Sequence, residues 1–580
     1  MKKVIFSVTL TLTFLIASSQ SRGSEELPPL DEAAQSWVES TLSGLSLEEK
    51  VGQLIIGGTG TSFTNLDTDK FQQIRQNLTD YHVGGYHAQG GEVFSAAFLI
   101  RRMQELARVP LFITADLEGG AGLIFRGGTR FPKAMALGAT FDPEIAHQVG
   151  ETTALEAKSL GINVNFYPVV DVNNNPLNPI ISIRSFGEDP AFVAQMAAAY
   201  IHGVQENGIL ATAKHFPGHG DTSTDSHLEL PVIEVSRERM EEVELPPFRA
   251  AIQAGVQAIM TAHLAIPALE PEEGLPATLS RRILTDLLRK EMGFKGLVFT
   301  DAMNMGGIRA RWKDGEAAVL AIAAGADLIL YPSSVGATFK GLLQAVRQGK
   351  IGEDRLNDSV RRILQAKARL GLHQHSLVDI SSIDQIVGSP DNQEAAQKIM
   401  DKAITLVRDE KDVLPFSPRA GAAILLLTLM DERRPMESRG HSFVREFRRR
   451  RSQTIHVEVI PQASAEEISL IQELAKRVDY VVVGAYIRIA ASKGSIELSL
   501  NQIELLRNLS ELRKPLALVL FGSPYLLSWI PEIPSYILAY EDYPGAELAA
   551  VKAILGETPF RGKLPISLPG FYPLGHGIQK

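Results

Sequence analysis

The chain of 580 residues contains no cysteine. This excludes disulfide bridges, thiolate metal sites and a cysteine nucleophile. Positive charge is not in excess: 58 Lys and Arg against 67 Asp and Glu leave a formal net charge of −9. No general affinity for nucleic acid or for an anionic membrane is indicated. Long apolar runs are scarce as well. One stands at the start, where Lys2 and Lys3 precede an apolar stretch over 4–17 that runs into Ala17, Ser18 and Ser19. It is shorter than a membrane span and has the layout of a secretory signal peptide. Residues 1–22 are therefore expected to be cleaved on export, leaving no stable membrane insertion and a periplasmic or extracellular protein. An uncleaved anchor is the alternative.

What remains has the composition of a globular protein, 45% hydrophobic and 22% charged. It is too long for one ordinary core. Ser46, three residues before Glu49, opens a helix with a capping box. Strand-like runs then alternate with helical ones. The runs cover 51–57, 83–87, 111–115, 162–170, 209–213, 258–262, 297–300 and 327–330. The helical stretches include 143–160, 191–207, 279–292 and 316–324. Eight β-α units over residues 23–372 predict a (β/α)8 TIM-type barrel, with a doubly wound open sheet as the alternative. Five of the runs end in Asp, His or Lys, as a catalytic rim would. Residues 373–395 are polar, hold Gly388, Ser389 and Pro390, and read as a linker. A second α/β pattern fills 396–580, with strand runs at 422–429, 480–483, 516–521 and 535–539 and helices such as 465–477 and 500–512. It predicts a smaller α/β sandwich domain. The basic cluster 445–451 reads as a solvated helix face rather than a binding patch.

Chemistry concentrates just past the fifth run, in Lys214-His215-Phe216-Pro217-Gly218-His219-Gly220-Asp221-Thr222 and Asp225-Ser226-His227. The fourteen residues 214–227 hold three histidines, a lysine and two aspartates, in a place where α/β enzymes put their reactive groups. Asp301 ends the seventh run, where a carboxylate suits a nucleophile or a stabiliser of positive charge, or else a cap on the following turn. Asp225 and His227, two apart on a loop, can pair so that the carboxylate orients the imidazole for proton transfer. Asp116, Arg184, Lys214 and His215 are hydrogen-bond formers suited to a polyhydroxylated substrate. A divalent-metal site built from His215, His219, Asp221, Asp225 and His227 competes with this reading. The turn around His219 and the missing His-x-His at the first strand end weigh against it, so no metal and no cofactor are expected.

These residues resemble the signature of family 3 glycoside hydrolases, in their β-N-acetylhexosaminidase branch. Asp116-Leu117-Glu118-Gly119-Gly120 is similar to the family's Asp-Gln-Glu-Gly-Gly. Phe131-Pro132, Leu137-Gly138-Ala139, Asp171-Val172-Asn173, Arg184-Ser185-Phe186-Gly187, Thr261-Ala262-His263 and Thr300-Asp301-Ala302-Met303-Asn304-Met305 match as well. Val413-Leu414-Pro415 and Gly562-Lys563-Leu564-Pro565 resemble the second domain of longer members. The chain departs at Leu117, where the family has Gln, and at Ile124, where members often carry arginine; Arg126 is nearby.

The resemblance implies Asp301 as nucleophile, His227 as general acid/base paired with Asp225, and Asp116, Arg184, Lys214 and His215 as sugar contacts. It implies retaining, exo-acting hydrolysis of terminal β-linked N-acetylglucosamine from wall fragments (oligosaccharides or glycopeptides) or from chitin-type oligosaccharides. A β-glucosidase-like member, a β-N-acetylglucosaminide phosphorylase and a non-catalytic sugar-binding protein are the alternatives. A monomer is the default expectation.

Overall fold

A computed structural model describes residues 27, 29–224, 226, 230–419, 421–431, 439–489 and 498–580. The expected signal peptide, 1–22, lies outside the described residues. Among these, no helix is long and apolar enough to cross a membrane.

Eight parallel strands form the first domain: β1 (Ile55–Gly60), β2 (Gly85–Gln89), β3 (Phe112–Ala115), β4 (Val164–Asn165), β5 (Leu210–Phe216), β6 (Ala258–Thr261), β7 (Leu297–Phe299) and β8 (Ile329–Leu330). Each pairs with the next, and β8 returns to pair with β1 through Ile55↔Ile329. A bridge between Phe299 and Leu328 joins β7 to β8 and closes the ring. The fold is thus a (β/α)8 barrel, as the alternation of runs implies. Its strands are apolar because both faces are covered, the inner by the barrel's own side chains and the outer by helices. The capping box forms: Ser46 Oγ accepts from Glu49 N at 3.2 Å, and Glu49 Oε2 accepts from Ser46 N at 2.8 Å.

Two runs differ from expectation. The first begins late, because Val51 belongs to the helix Leu47–Gln53 and β1 starts at Ile55. The fourth, expected over 162–170, is a regular strand only at Val164–Asn165. Pro168 has no N–H to give to the ladder. Beyond it the chain holds β5 through isolated bonds, such as Val170 N to Lys214 O at 2.8 Å.

The segment 373–395 is largely structured. Ile380–Ser382 and Ile383–Ile386 are helical turns, and Pro390–Ala403 is a full helix capped by Ser389. Val378 and Ile383 are buried in the barrel core. The Ser-Pro read as a break is a helix start, with Pro390 in the first turn where its missing N–H costs nothing.

The second domain is a six-stranded sheet of β9 (Thr405–Asp409), β10 (Ile424–Met430), β11 (Thr454–Val459), β12 (Tyr480–Ile487), β13 (Leu516–Gly522) and β14 (Ser535–Leu538). The order is β9-β14-β13-β12-β10-β11, antiparallel at β9 and parallel elsewhere. The two edge strands carry no unbroken apolar run, which is why the sequence pattern omits them. Helices Pro390–Ala403, His441–Arg450 and Pro544–Ile554 pack together, while Ala465–Arg477 packs with Leu500–Glu511, flanking the sheet in two groups. In His441–Arg450, Arg445 and Arg449 are exposed beside Glu446, and Arg450 pairs with Glu446 and Glu557.

The domains share apolar packing. Met135, Ala136, Ala139 and Ile183 from the barrel's loops belong to the second domain's core. Glu541, 1% exposed, accepts from Arg130 Nη2 at 2.8 Å and from Lys133 N at 3.1 Å across the seam.

Candidate active site

A cavity of about 440 Å³ opens at the C-terminal ends of the barrel strands, the end where barrels of this type carry their chemistry. Asp116, Arg184, Lys214, His215 and Asp301 all line it. Asp116 follows β3, Lys214 and His215 lie inside β5, and Asp301 follows β7. The fifth strand runs further than the sequence suggests, through Phe216. A regular strand would send neighbours 214 and 215 to opposite faces. Here the register of β5 against β6 shifts between Ala213 and Phe216, and both side chains reach the cavity. Asp225 and His227 lie outside the described residues; Ser226, between them, lines the cavity.

The loop after β5 needs its glycines. A Cβ on Gly220 would stand 1.7 Å from Val172 O, and Gly218 has φ +129° with Glu244 against it. A side chain at either position would push the loop off the barrel end.

The polar groups form two clamped sets. In the first, Glu118 Oε1 accepts from Lys214 Nζ at 2.9 Å and from Arg184 Nη2 at 2.8 Å, and its Oε2 accepts from Arg184 Nε at 2.9 Å. Lys214 Nζ also donates to Asp116 Oδ1 at 2.7 Å. Burial alone would raise the Glu118 carboxyl, but Arg184 and Lys214 outweigh it and hold the group well below the usual range. Burial would lower Lys214, yet Asp116 and Glu118 raise it, so its charge is secure. Burial is the main cause that lowers His87 below the ordinary imidazole value; its Nδ1 meets Thr114 Oγ1 at 3.0 Å and its Nε2 lies 3.5 Å from Asp116.

In the second set, buried Asp171 takes three donors. His215 Nδ1 lies 2.7 Å from Oδ2, His219 N donates to Oδ1 at 2.7 Å, and His215 N donates at 3.2 Å. Burial works to raise Asp171, but its electrostatic contact and hydrogen bond with His215 lower it below its ordinary value. An ionised Asp171 fixes the hydrogen of His215 on Nδ1. His219, 2% exposed, is pushed down to about 4 by burial and by His215, and its Nε2 meets Ser226 Oγ at 3.0 Å. Near Asp301, His263 Nε2 donates to Ala302 O at 3.1 Å, and Asp301 Oδ1 accepts from Ala302 N at 2.7 Å. This pins the turn that carries Asp301.

Among the described residues no group of three or more His, Asp or Glu side chains could hold a metal ion. Of the residues weighed as ligands, His215 is bonded to Asp171, and Asp221 accepts from Asn175 at 3.4 Å. Glu118, Asp171 and His87 are absent from the sequence-derived candidates, and His219 stands there only as a candidate metal ligand. Glu118 stands two residues after Asp116 in the same motif, and Asp171 ends a predicted strand, so both carried a signal. Nothing in the spacing joins Asp171 to histidines 44 and 48 residues away. Ile489, from the second domain, also lines the cavity and had no signal at all.

The arrangement presents a ring of fixed hydrogen-bond formers facing one carboxylate, which suits a polyhydroxylated ligand and displacement at carbon. Comparison with known proteins points the same way. The model of the Glycosyl hydrolase family 3 N terminal domain matches residues 46–366, and that of the family's C-terminal domain matches 404–571. A beta-N-acetylglucosaminidase/beta-glucosidase from Cellulomonas fimi is 31% identical over 93% of this chain and 96% of its own. The structure of a family 3 beta-N-acetylglucosaminidase from Paenibacillus matches with TM-score 0.81 and 36% identity, over 90% of this chain and 99% of that one. A beta-glucoside phosphorylase matches with TM-score 0.84 and 27% identity, over 93% and 97%.

Proposed function

Because the chain belongs to glycosyl hydrolase family 3, we propose that it is an exo-acting β-N-acetylhexosaminidase that releases terminal β-linked N-acetylglucosamine with retention. The observation that carries this reading is the cavity, with Asp301 on one wall and the clamped Asp116, Lys214, Glu118 and Arg184 set beside it. Its volume, about 440 Å³, suits one terminal sugar and part of the next group, within the roughly 300–1,000 Å³ of small-ligand sites. The likeness to the Cellulomonas and Paenibacillus enzymes supports the choice of sugar.

In this mechanism Asp301 attacks the anomeric carbon as the bond to the leaving oxygen breaks, and a covalent glycosyl-enzyme ester forms. His227, oriented by Asp225, gives its proton to that oxygen. It then takes one from the water that cleaves the ester, so two inversions give net retention. Lys214, Arg184, Asp116 and His215 hold the sugar hydroxyls, and the salt-linked pairs keep these donors in place before substrate arrives. The substrate is an oligosaccharide of wall-fragment or chitin type. The layout of residues 1–22 supports action in a periplasm or outside the cell, which fractionation of an expressing culture tests.

Release of 4-nitrophenol from the β-N-acetylglucosaminide and from the β-glucoside, with and without phosphate, tests the reading. A strong preference for the first, lost in Asp301→Ala, is expected. Preference for the glucoside would sink it, and a sugar phosphate formed with added phosphate would replace hydrolysis by phosphorolysis. His227→Ala is expected to lose most rate on a poor leaving group; equal loss on good and poor ones refutes the acid role.

A further inference from the structure

Outside the cavity the barrel carries an aromatic face that the chemistry above leaves unused. Phe63 is 76% exposed, Phe94 50% and Phe98 38%. Solitary exposed apolar side chains need no explanation, but neighbouring ones mark a binding surface. Backbone ties bring the segments that carry these three together. Phe94 and Phe98 are four apart on the helix Val93–Leu106 and share its face. Phe63 sits in the loop after β1, and that loop is tied to the start of the same helix. Thr61 N donates to Gly90 O at 2.9 Å, and a Cβ on Gly91 would lie 2.7–2.9 Å from the Thr61 and Ser62 backbone.

The face is continuous with the cavity. Gln89, at the end of β2, lines the cavity and is followed directly by Gly90 and Gly91. Gly91–Glu92 pairs with Phe125–Arg126, which places the cavity-lining Leu123 and Ile124 against the same loop. Apolar surface therefore runs from Ile124 on the cavity wall to Phe94 and Phe63 outside it. Charge borders it: Arg126 pairs with Glu92 at 3.0 Å, and Arg102 lies over the Phe98 ring at 5.3 Å.

We infer that Phe63, Phe94 and Phe98 form an outer subsite on which an oligomer of β-linked N-acetylglucosamine lays the rings that extend past the cleaved sugar. This rests on the glycosidase reading above. A β-linked pyranose presents axial C–H bonds on its faces and hydroxyls at its edge. It can cover an aromatic ring while its polar rim meets groups such as Arg126 and Glu92. The surface adjoins the cavity-lining residues Gln89 and Ile124, and this continuity with the sugar site selects the saccharide over a protein partner or a second copy of this chain.

The test compares the native enzyme with Phe63→Ala/Phe94→Ala on three substrates: the 4-nitrophenyl β-N-acetylglucosaminide, chitobiose and chitotetraose. The variant is expected to stay within about twofold of native kcat/KM on the first two. On the tetrasaccharide it should lose about tenfold, mostly through KM, as removal of two rings that the sugar covers would cost. A loss equal on all three substrates, or none on the tetrasaccharide, overturns the inference. So does self-association of the native chain that the variant abolishes. Calorimetric titration of chitotetraose into Asp301→Asn, with and without the two Phe substitutions, reads the surface without turnover. If the native enzyme proves inactive on the aryl glycoside while binding still weakens in the Phe variant, the hydrolase reading fails and the outer subsite stands.

Discussion

Replacing Glu118 by Gln removes one negative charge and little volume from the centre of the site. Glu118 accepts from Arg184 Nε and Nη2 at 2.9 and 2.8 Å and from Lys214 Nζ at 2.9 Å. The Gln carbonyl oxygen can still accept one of these bonds, but its amide nitrogen cannot replace the other oxygen; beside it Arg184 retains the Ile180 carbonyl at 3.1 Å and Lys214 retains Asp116 at 2.7 Å. Removing one member of a buried ion pair costs about 3–5 kcal/mol, because the surviving charge is stranded. Lys214 keeps a carboxylate, so the lower end applies, about 3 kcal/mol. At about 2 °C per kcal/mol for a large domain, the barrel transition should fall by about 6 °C in scanning calorimetry at pH 7. The pH dependence has a definite sign. The folded carboxyl lies well below its ordinary value, so its stabilisation is full above the unfolded value of 4.5 and is lost as pH falls through the folded one. The gap between native and variant should therefore be constant from about pH 6 to 8 and shrink below about pH 4. Activity has its own expectation: Arg184 and Lys214 lose their fixed positions, and misplaced contacts of this kind cost about a hundredfold in kcat/KM. A Gln variant melting within about 1 °C of native, with unchanged kcat/KM, would refute the view that this carboxylate holds the two cations.

Two further perturbations follow. Lys367 is fully buried under the barrel, with one acceptor, Gln53 Oε1 at 2.8 Å, and the Phe112 ring 5.1 Å away; burial pushes its pKa down to about 7. The unfolded chain binds more protons between about pH 7 and 10.5, so Lys367 costs most below pH 7 and less as pH rises. Lys367→Met should stabilise by about 1–4 kcal/mol at pH 6 and by less at pH 10, and an equal gain at both pH values in calorimetry would contradict this. Asp171→Asn puts an N–H opposite His215 Nδ1 and turns the imidazole to the other tautomer. Loss of that charge-assisted bond should lower kcat/KM by about ten- to a hundredfold with the fold intact, and unchanged kinetics would remove His215 from the site.

The sequence exposed the barrel because a parallel strand covered on both faces is a short apolar run, and eight of them recur between helices. It exposed the reactive residues because they stand where those runs stop: Asp116, Lys214, His215 and Asp301. It did not expose the strands Thr405–Asp409 and Thr454–Val459, which lie at sheet edges and lack an unbroken apolar run; Thr454–Val459 is partly open to solvent. The helix Pro390–Ala403 was hidden by Ser389 and Pro390, which mark a helix start as readily as a break. Ile489 lies in the second domain, and the cavity acquires it only because Met135, Ala139 and Ile183 pack into that domain's core.

The clamped carboxylates mark where spacing along the chain stops being informative. Asp116 follows β3, Lys214 lies in β5 and Asp301 follows β7, so the three come from alternate strands. β3 and β5 do not pair with each other; β4 stands between them. In a closed barrel, side chains from alternate strands meet in one layer at the centre. Alternate strands of a sheet stand roughly 9–10 Å apart, a gap that the long Lys214 side chain spans to reach Asp116. That 2.7 Å bond lies inside a ring which the Phe299–Leu328 bridge and the β8–β1 pairing complete. An open doubly wound sheet could place the same residue types at its strand ends, but would not curve Asp301 round to face them across one centre. The ionic set and the barrel thus support each other: closure gathers the charged groups around one centre, and their pairing permits so many ionisable groups to be buried at the barrel's mouth.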